Sequence, residues 1–263
     1  MAAPLGYHQL VLAYYAENLE TGRLLAAHDG VVMPSWSTIK VLLAAAFWRA
    51  VERGELDEAK PYAWQPWQAA GDPHDSAGVL RGFRHAAKLS LADLLHLALA
   101  VSDNDATNIV LSYVGLDAVN DLAAGLGLEG TAMRRRMMDA GARDEGRENV
   151  TCARDLGRLM AALVGDAGGA RDGTSALSRL VRERVLRSLE LTEHHDGLAR
   201  YLPPVAVYAG KLGDDMPEGR YAHECCLVRQ GDSRLAIVVM SDGGEGYEAV
   251  SRTGFALYQA LLA

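Results

Sequence analysis

Ser37-Thr38-Ile39-Lys40, Ser102-Asp103-Asn104 and Lys211-Leu212-Gly213 occur in that order, about 65 and about 110 residues apart. A serine hydroxyl is a poor nucleophile until a base takes its proton, and a lysine three residues further along a helix sits on the same face, within reach. Lys40 can be that base only when neutral. Burial in an apolar helix and repulsion from a second cation, Lys211, would both push its pKa down. A serine at a helix N-terminus also has its own amide and the helix dipole directed at any oxyanion formed on the attacked carbonyl. The chemistry implied is acylation of Ser37 by a strained or activated amide. A Ser-x-x-Lys alone carries little weight, since ordinary residue frequencies produce one by chance in a chain of this length. Order, spacing and local context carry the weight.

The elements that must position these residues can be read from periodicity. Gln9 to Ala16, a turn over Asn18 to Gly22, and Arg23 to His28 read as a hairpin. Pro34 and Ser35 punctuate the chain, and Ser37 to Arg53 reads as a helix rich in Ala and Leu, stopped at Gly54. No period is evident from Pro61 to about His85. Leu91, Leu94, Leu95 and Ala98 then mark an amphipathic helix ending just before Ser102. Asn104 to Val114 and Asp117 to Leu126 read as helices closed by Gly115 and Gly127, and Leu156, Leu159, Met160 and Leu163 repeat the helical spacing. Strand character returns at Val205 to Leu212, Tyr221 to Gln230 and Arg234 to Met240, before a terminal helix from about Tyr247 to Leu262. The expected fold is of α+β type, an antiparallel sheet built from both termini and flanked by helices, with an all-helical lobe inserted. It forms one two-lobed domain over 1–263, the α/β lobe about 1–60 and 203–263 and the helical lobe about 61–202, with the site in a cleft between them.

On these three motifs, and on the longer phrases Pro34 to Val41, Ser102 to Asn108 and Leu126-Gly127-Leu128, the chain resembles the class A β-lactamases and their penicillin-binding relatives. The likeness covers nearly the whole sequence and implies a β-lactamase-like fold. It implies that Ser102 relays a proton to the leaving nitrogen and that Asn104 holds both Lys40 and the amide side chain of the substrate. It makes the amide of Asp214, after Gly213, the second oxyanion donor; Gly213 lets substrate approach the strand. Asp103 is expected to fold its carboxylate onto backbone amides.

The pattern departs from the family in two places. Leu212 stands where a hydroxyl residue normally helps bind the substrate carboxylate, and Asp214 and Asp215 follow it; two acids there would repel a carboxylate, with Arg220 as a possible compensating cation. Deacylation in the family depends on a Glu followed four residues later by an Asn. Here Glu145 precedes Asn149 by that spacing, Glu148 is a second candidate, and otherwise both are solvated loop charges.

Composition bounds the rest. With 263 residues, 49% hydrophobic and 23% charged, the chain can bury a substantial core. A net charge of -8 with no basic run argues against nucleic acid or anionic membrane as partner, leaving a small-molecule substrate. Nothing in the first 22 residues reads as an export signal or a span, so the expected location is cytoplasmic, unless the sequence is a trimmed secreted form. Cys152, Cys225 and Cys226 read as buried thiols, the adjacent pair alternating across a strand. His194-His195-Asp196 and His74-Asp75 lack the spacing of a metal site, and no metal or cofactor is expected. Gly168-Gly169 and Gly243-Gly244 read as turns, and Trp64 and Trp67 as packing residues rather than cleft walls.

Three functions remain open at this level. The first is a hydrolase opening a β-lactam or related amide through acyl-Ser37. The second is a cytosolic serine esterase, amidase or acyltransferase for a metabolite without a carboxylate. The third is a β-lactam binder that acylates and deacylates slowly.

Overall fold

The computed structural model describes residues 11–69, 77–165, 177–215, 218–243 and 246–263. Its centre is a five-stranded antiparallel sheet in the order β2-β1-β9-β8-β7. The strands are β1 (Val11–Asn18), β2 (Leu24–Ala27), β7 (Val207–Asp214), β8 (Tyr221–Gln230) and β9 (Ser233–Asp242). Two short antiparallel pairs stand apart: β3 (Met33–Pro34) with β6 (Val150–Thr151), and β4 (Pro61–Trp64) with β5 (Ala87–Ser90). The helices are α1 (Lys40–Glu52), α2 (Leu91–Ala100), α3 (Asn104–Val114), α4 (Leu116–Gly125), α5 (Ala140–Asp144), α6 (Ala153–Val164), α7 (Arg179–Glu190) and α8 (Tyr247–Leu262). The fold is thus mixed, its sheet drawn from both ends of the chain with most of the helices between. The readings at His74-Asp75, Gly168-Gly169 and Gly244 lie outside the described residues.

Strand alternation gives the sheet two apolar faces. Ala13, Tyr15, Ala209, Cys225, Val238 and Met240 join a core built with α1 to α4, α6 and α7. Ala16, Cys226, Ile237 and Val239 face the other way, onto Val250, Leu257 and Leu261 of α8. Cys225 and Cys226 therefore lie in different cores, both fully buried and both free.

Helix α1 is apolar on every side, and a helix of that kind is stable only when enclosed. Lys40 to Ala50 are buried with the single exception of Arg49. The helix α2 starts on a capping box: Ser90 accepts from the Asp93 amide while the Asp93 carboxylate accepts from that of Ser90. Helix α6 comes so close to β1 that a Cβ on Gly157 would lie 2.1 Å from the Tyr15 ring. Trp64 is 1% exposed and packs, whereas Trp67 is 80% exposed. The packing expectation fails for Trp67 because it sits in a short 3-10 turn, Pro66–Gln68, with no buried residue.

Candidate active site

Ser37 lies in a 3-10 turn, Trp36–Ile39, that runs directly into α1. The turn is braced from three sides. Ser35 donates its amide to the Asn149 carbonyl at 2.8 Å, Thr38 donates its hydroxyl to the Ser35 carbonyl at 2.6 Å, and Trp36 takes a left-handed φ of 46°. A non-glycine residue in that region costs about 1–2 kcal/mol, and such strain collects at functional sites. The edge strand β7 lies against this turn. A Cβ on Gly213 would sit 2.9 Å from the Ser37 nitrogen and 3.0 Å from that of Thr38, so glycine is what allows β7 to approach the backbone of Ser37 this closely.

Lys40 begins α1 and is fully buried. Its Nζ donates to the Ser102 carbonyl at 2.7 Å, to Asn104 Oδ1 at 2.7 Å and to Ser102 Oγ at 3.2 Å. Three acceptors favour the ammonium; burial foremost and then the Lys211 charge oppose it, and the pKa is held well below the usual lysine value. Lys211, on β7, donates to the same Ser102 Oγ at 3.0 Å and to the Leu212 carbonyl at 2.9 Å, and burial brings its pKa to about 8. One hydroxyl thus bridges two lysines. Ser102 reaches this position with φ of 56°, which turns its carbonyl and its Oγ towards Lys40 together.

Asp103 holds the second motif in place. One carboxylate oxygen caps α3 through the Ala106 amide at 2.8 Å, and the other accepts from the amides of Val79 and Leu80 at 2.7 and 2.8 Å. Gly78 leaves room for it, since a Cβ there would lie 2.4 Å from the Asp103 carboxyl carbon.

The residues after Lys211 divide between the faces of the strand. Leu212 is buried and stands opposite Glu224 of β8, on the face away from Lys211, so its main-chain carbonyl is what it brings to the lysine. The Asp214 carboxylate accepts from Tyr247 of α8 at 2.6 Å, and Asp215 accepts from the Tyr221 amide at 2.8 Å. Both acids of the sequence reading are therefore engaged by the fold, although Asp214 remains among the charges that act on Lys40. Arg220 is committed to Asp242, at 2.5 Å, and lies over the Tyr221 ring.

Neither candidate glutamate is joined to this network. Glu145 ends α5, largely exposed and paired with Arg147. Glu148 accepts from Arg135 at 2.6 and 2.9 Å and from the Asn149 amide at 2.8 Å. Among the described residues, the charges that shift the Lys40 pKa are Lys211, Asp103 and Asp214. The part of the intervening loop fastened to α3 is instead Arg136 and Met137: the Arg136 guanidinium donates to the Asn108 carbonyl at 3.5 Å, and the Met137 backbone amide and carbonyl are both held by the Asn108 side chain, at 2.8 and 3.0 Å.

The sequence reading missed one residue in the site's frame. His223, on β8 in register with Gly213, is fully buried, accepts from the Ser241 amide at Nδ1 and donates from Nε2 to the Pro34 carbonyl at 3.0 Å. The acceptor role of Nδ1 fixes the neutral tautomer, and burial lowers the pKa to about 4. A lone histidine in a strand gives no sequence signal of this. His194, set aside as a metal ligand, is half-buried among groups that include the Val101 carbonyl and the Lys211 charge, and its pKa is lowered.

The arrangement offers a serine at a helix start, a buried lysine whose pKa is lowered, a hydroxyl shared by two lysines, and an edge strand laid against the serine's amide. Known proteins share the fold that carries it. A model described as the beta-lactamase enzyme family matches residues 3–261. The crystal structure of a beta-lactamase from Sphaerobacter thermophilus superposes with a TM-score of 0.83 at 24% identity, covering 96% of this chain and 90% of that one. PBP-A superposes with a TM-score of 0.82 at 25% identity, covering 98% and 92%, and a mutant of it has been solved as an acyl-enzyme complex with penicillin-G. Among curated proteins, the beta-lactamase regulatory protein BlaB of Streptomyces cacaoi is 26% identical over 127 residues, 48% of this chain but only 40% of that protein.

Proposed function

The chain belongs to the beta-lactamase enzyme family, and we propose that it is an active-site serine hydrolase which opens a β-lactam or related amide through an acyl-Ser37 intermediate. The observation that carries this reading is Ser102 Oγ held at 3.2 Å from Lys40 and 3.0 Å from Lys211, beside a serine that opens a helix.

In the proposed reaction neutral Lys40 removes the Ser37 proton as Oγ attacks the carbonyl, and the amide of Ser37 with that of Asp214 receives the oxyanion. Protonated Lys40 then has its three acceptors already in place. The proton moves through Ser102 to the leaving nitrogen as the C–N bond breaks, with Lys211 holding the developing charge at that hydroxyl. Asn104 keeps Lys40 aligned.

A second reading concerns the fate of the acyl-enzyme, and the positions of Glu145 and Glu148 favour it. With both carboxylates held by arginine, water attack on the ester has neither glutamate as its base, which favours an acyl-enzyme that persists. The protein would then act as a slowly deacylating β-lactam binder. An esterase or amidase for substrates without a carboxylate is supported by Leu212 and by the negative charge of Asp214 near the lysines.

The test is a time course of intact-protein mass after mixing with a penicillin and with a neutral activated ester, using Ser37→Ala as control. An adduct that forms and clears supports the hydrolase, and one that persists for hours supports the binder. Acylation by the ester alone moves the assignment to the esterase. No adduct from either reagent, or an adduct retained by Ser37→Ala, overturns the reading.

A further inference from the structure

A pocket of about 350 Å³ adjoins α3 on the side of Asp105, Asn108 and Ile109, and its lining includes none of Ser37, Lys40, Ser102 and Lys211. That volume is within the range of small-molecule sites. Its apolar wall comes from Trp64, Ile109, Met137 and Met138. Met138 has a left-handed φ of 61°, and Trp64 is 1% exposed with its indole N–H buried and without a partner among the described residues. A buried indole donor normally finds an acceptor.

The charges are balanced in pairs. Asp105 lies opposite Arg81, at 3.6 Å. Among the described residues the remaining charges in the lining are the exposed guanidinium of Arg136, which donates to the Asn108 carbonyl at 3.5 Å and forms no ion pair, and the carboxylate of Asp139. Asp139 uses one oxygen to cap α5 through the Ala142 amide at 2.9 Å. Asn108 and Gln68 are occupied, the first by the Met137 backbone and the second by Gln65 and Tyr62. One cation, one anion and an aromatic and thioether wall match a ligand with a carboxylate, an ammonium and an apolar side chain. An anion alone would meet the Asp139 carboxylate, and a cation alone would meet Arg136.

We infer that this pocket is a second small-molecule site, for a zwitterion of amino-acid type whose carboxylate pairs with Arg136, whose ammonium pairs with Asp139, and whose side chain lies against Trp64 and the two methionines. The site is independent of acylation at Ser37. It adjoins the reaction centre through α3, where Asn108, which clamps Met137, is one turn from Asn104, which holds Lys40.

Isothermal titration with phenylalanine, phenylalaninamide and N-acetylphenylalanine tests this, because each analogue removes one charge. Saturable binding of phenylalanine is expected, with each analogue at least tenfold weaker. Arg136→Gln, at an exposed position, abolishes the preference over the amide, and Asp139→Asn, which keeps the α5 cap, abolishes the preference over the N-acetyl acid. Ser37→Ala leaves binding unchanged, so failure of the acyl-serine reading and failure of this one are distinguishable. No saturable binding of phenylalanine, or of leucine, at millimolar concentration overturns the inference. Equal binding of the analogues, or loss of binding in Ser37→Ala, does so as well.

Discussion

At the scale of single residues the site depends on two buried lysines whose pKa values are both lowered, that of Lys40 by burial and then by the Lys211 charge, and that of Lys211 by burial to about 8. Acylation by a penicillin should therefore rise with pH as Lys40 loses its proton, then fall through about pH 8 as Lys211 loses the charge that attracts the anion. For a neutral ester the alkaline fall should be smaller, since only the part that Lys211 plays at Ser102 Oγ is then lost. Lys211→Arg, which stays charged, should remove the fall for the penicillin, and Lys40→Ala should slow adduct formation by about 10²-fold or more; pH profiles of the acylation rate check all three. Glu224 is a different residue-scale device. Its carboxylate is buried, accepts from the Leu198 amide and the Tyr208 hydroxyl at 2.8 Å each, and burial raises its pKa to about 7. The unfolded chain ionises at about 4.5, so between 4.5 and 7 the native state binds more protons and stability falls as pH rises. The cost at pH 8 is about 3 kcal/mol by this reckoning. Glu224→Gln should raise Tm at pH 8 and change it little at pH 4.5, and a gain of the same size at both would refute the assignment.

At the scale of elements, what counts is how closely the nucleophile turn is held to the sheet. Gly213→Ala would drive a methyl group into two backbone nitrogens rather than into a side chain that could swing away, so β7 or the turn has to move. Acylation should fall at least tenfold, since a misplacement near 1 Å can cost about 10²-fold, and Tm should drop by a few degrees because overpacking of this kind costs about 1–3 kcal/mol. His223 pins the same turn from behind. His223→Phe keeps the volume and loses the bond to Pro34, and it should lower the limiting acylation rate more than the apparent affinity. Wild-type stability should also decline as pH falls from about 6.5 towards 4, because the unfolded imidazole protonates first. These couplings were the part least legible in the sequence. Tyr221–Gln230 and Asn104–Val114 could be read to their ends, since a long alternating or helical run bounded by turn residues decides its own conformation. The pairs β3 with β6 and β4 with β5 were not, because two- and four-residue strands owe their existence to a partner far along the chain. The same holds for the loop glutamates: spacing suggested Glu145, but the conformation of the loop put its carboxylate on Arg147.

At the scale of the whole molecule, one sheet separates two cores, and neighbouring side chains answer to different halves. Cys225 and Cys226 show this most directly. Both thiols are fully buried, burial pushing that of Cys225 up to about 12 and that of Cys226 well above the usual range. Neither should react with an aromatic disulfide reagent in the native protein, whereas all three cysteines should react in denaturant; thiol titration with and without urea measures it. That the sheet joins both ends of the chain was legible from where strand character falls, but its order was not, because several antiparallel orders satisfy the same pattern of buried faces. The order found places β1 against β9, with Val11 opposite Asp242 and Asn18 opposite Leu235. These partners are more than 200 residues apart in sequence. During synthesis the first strand must wait for nearly all the helices to emerge before its central neighbour exists, so the nucleophile turn cannot be fixed to β7 early. Ser37 is made well before β7, the strand that packs against its turn, so the arrangement proposed to activate it is completed only once that strand has been made.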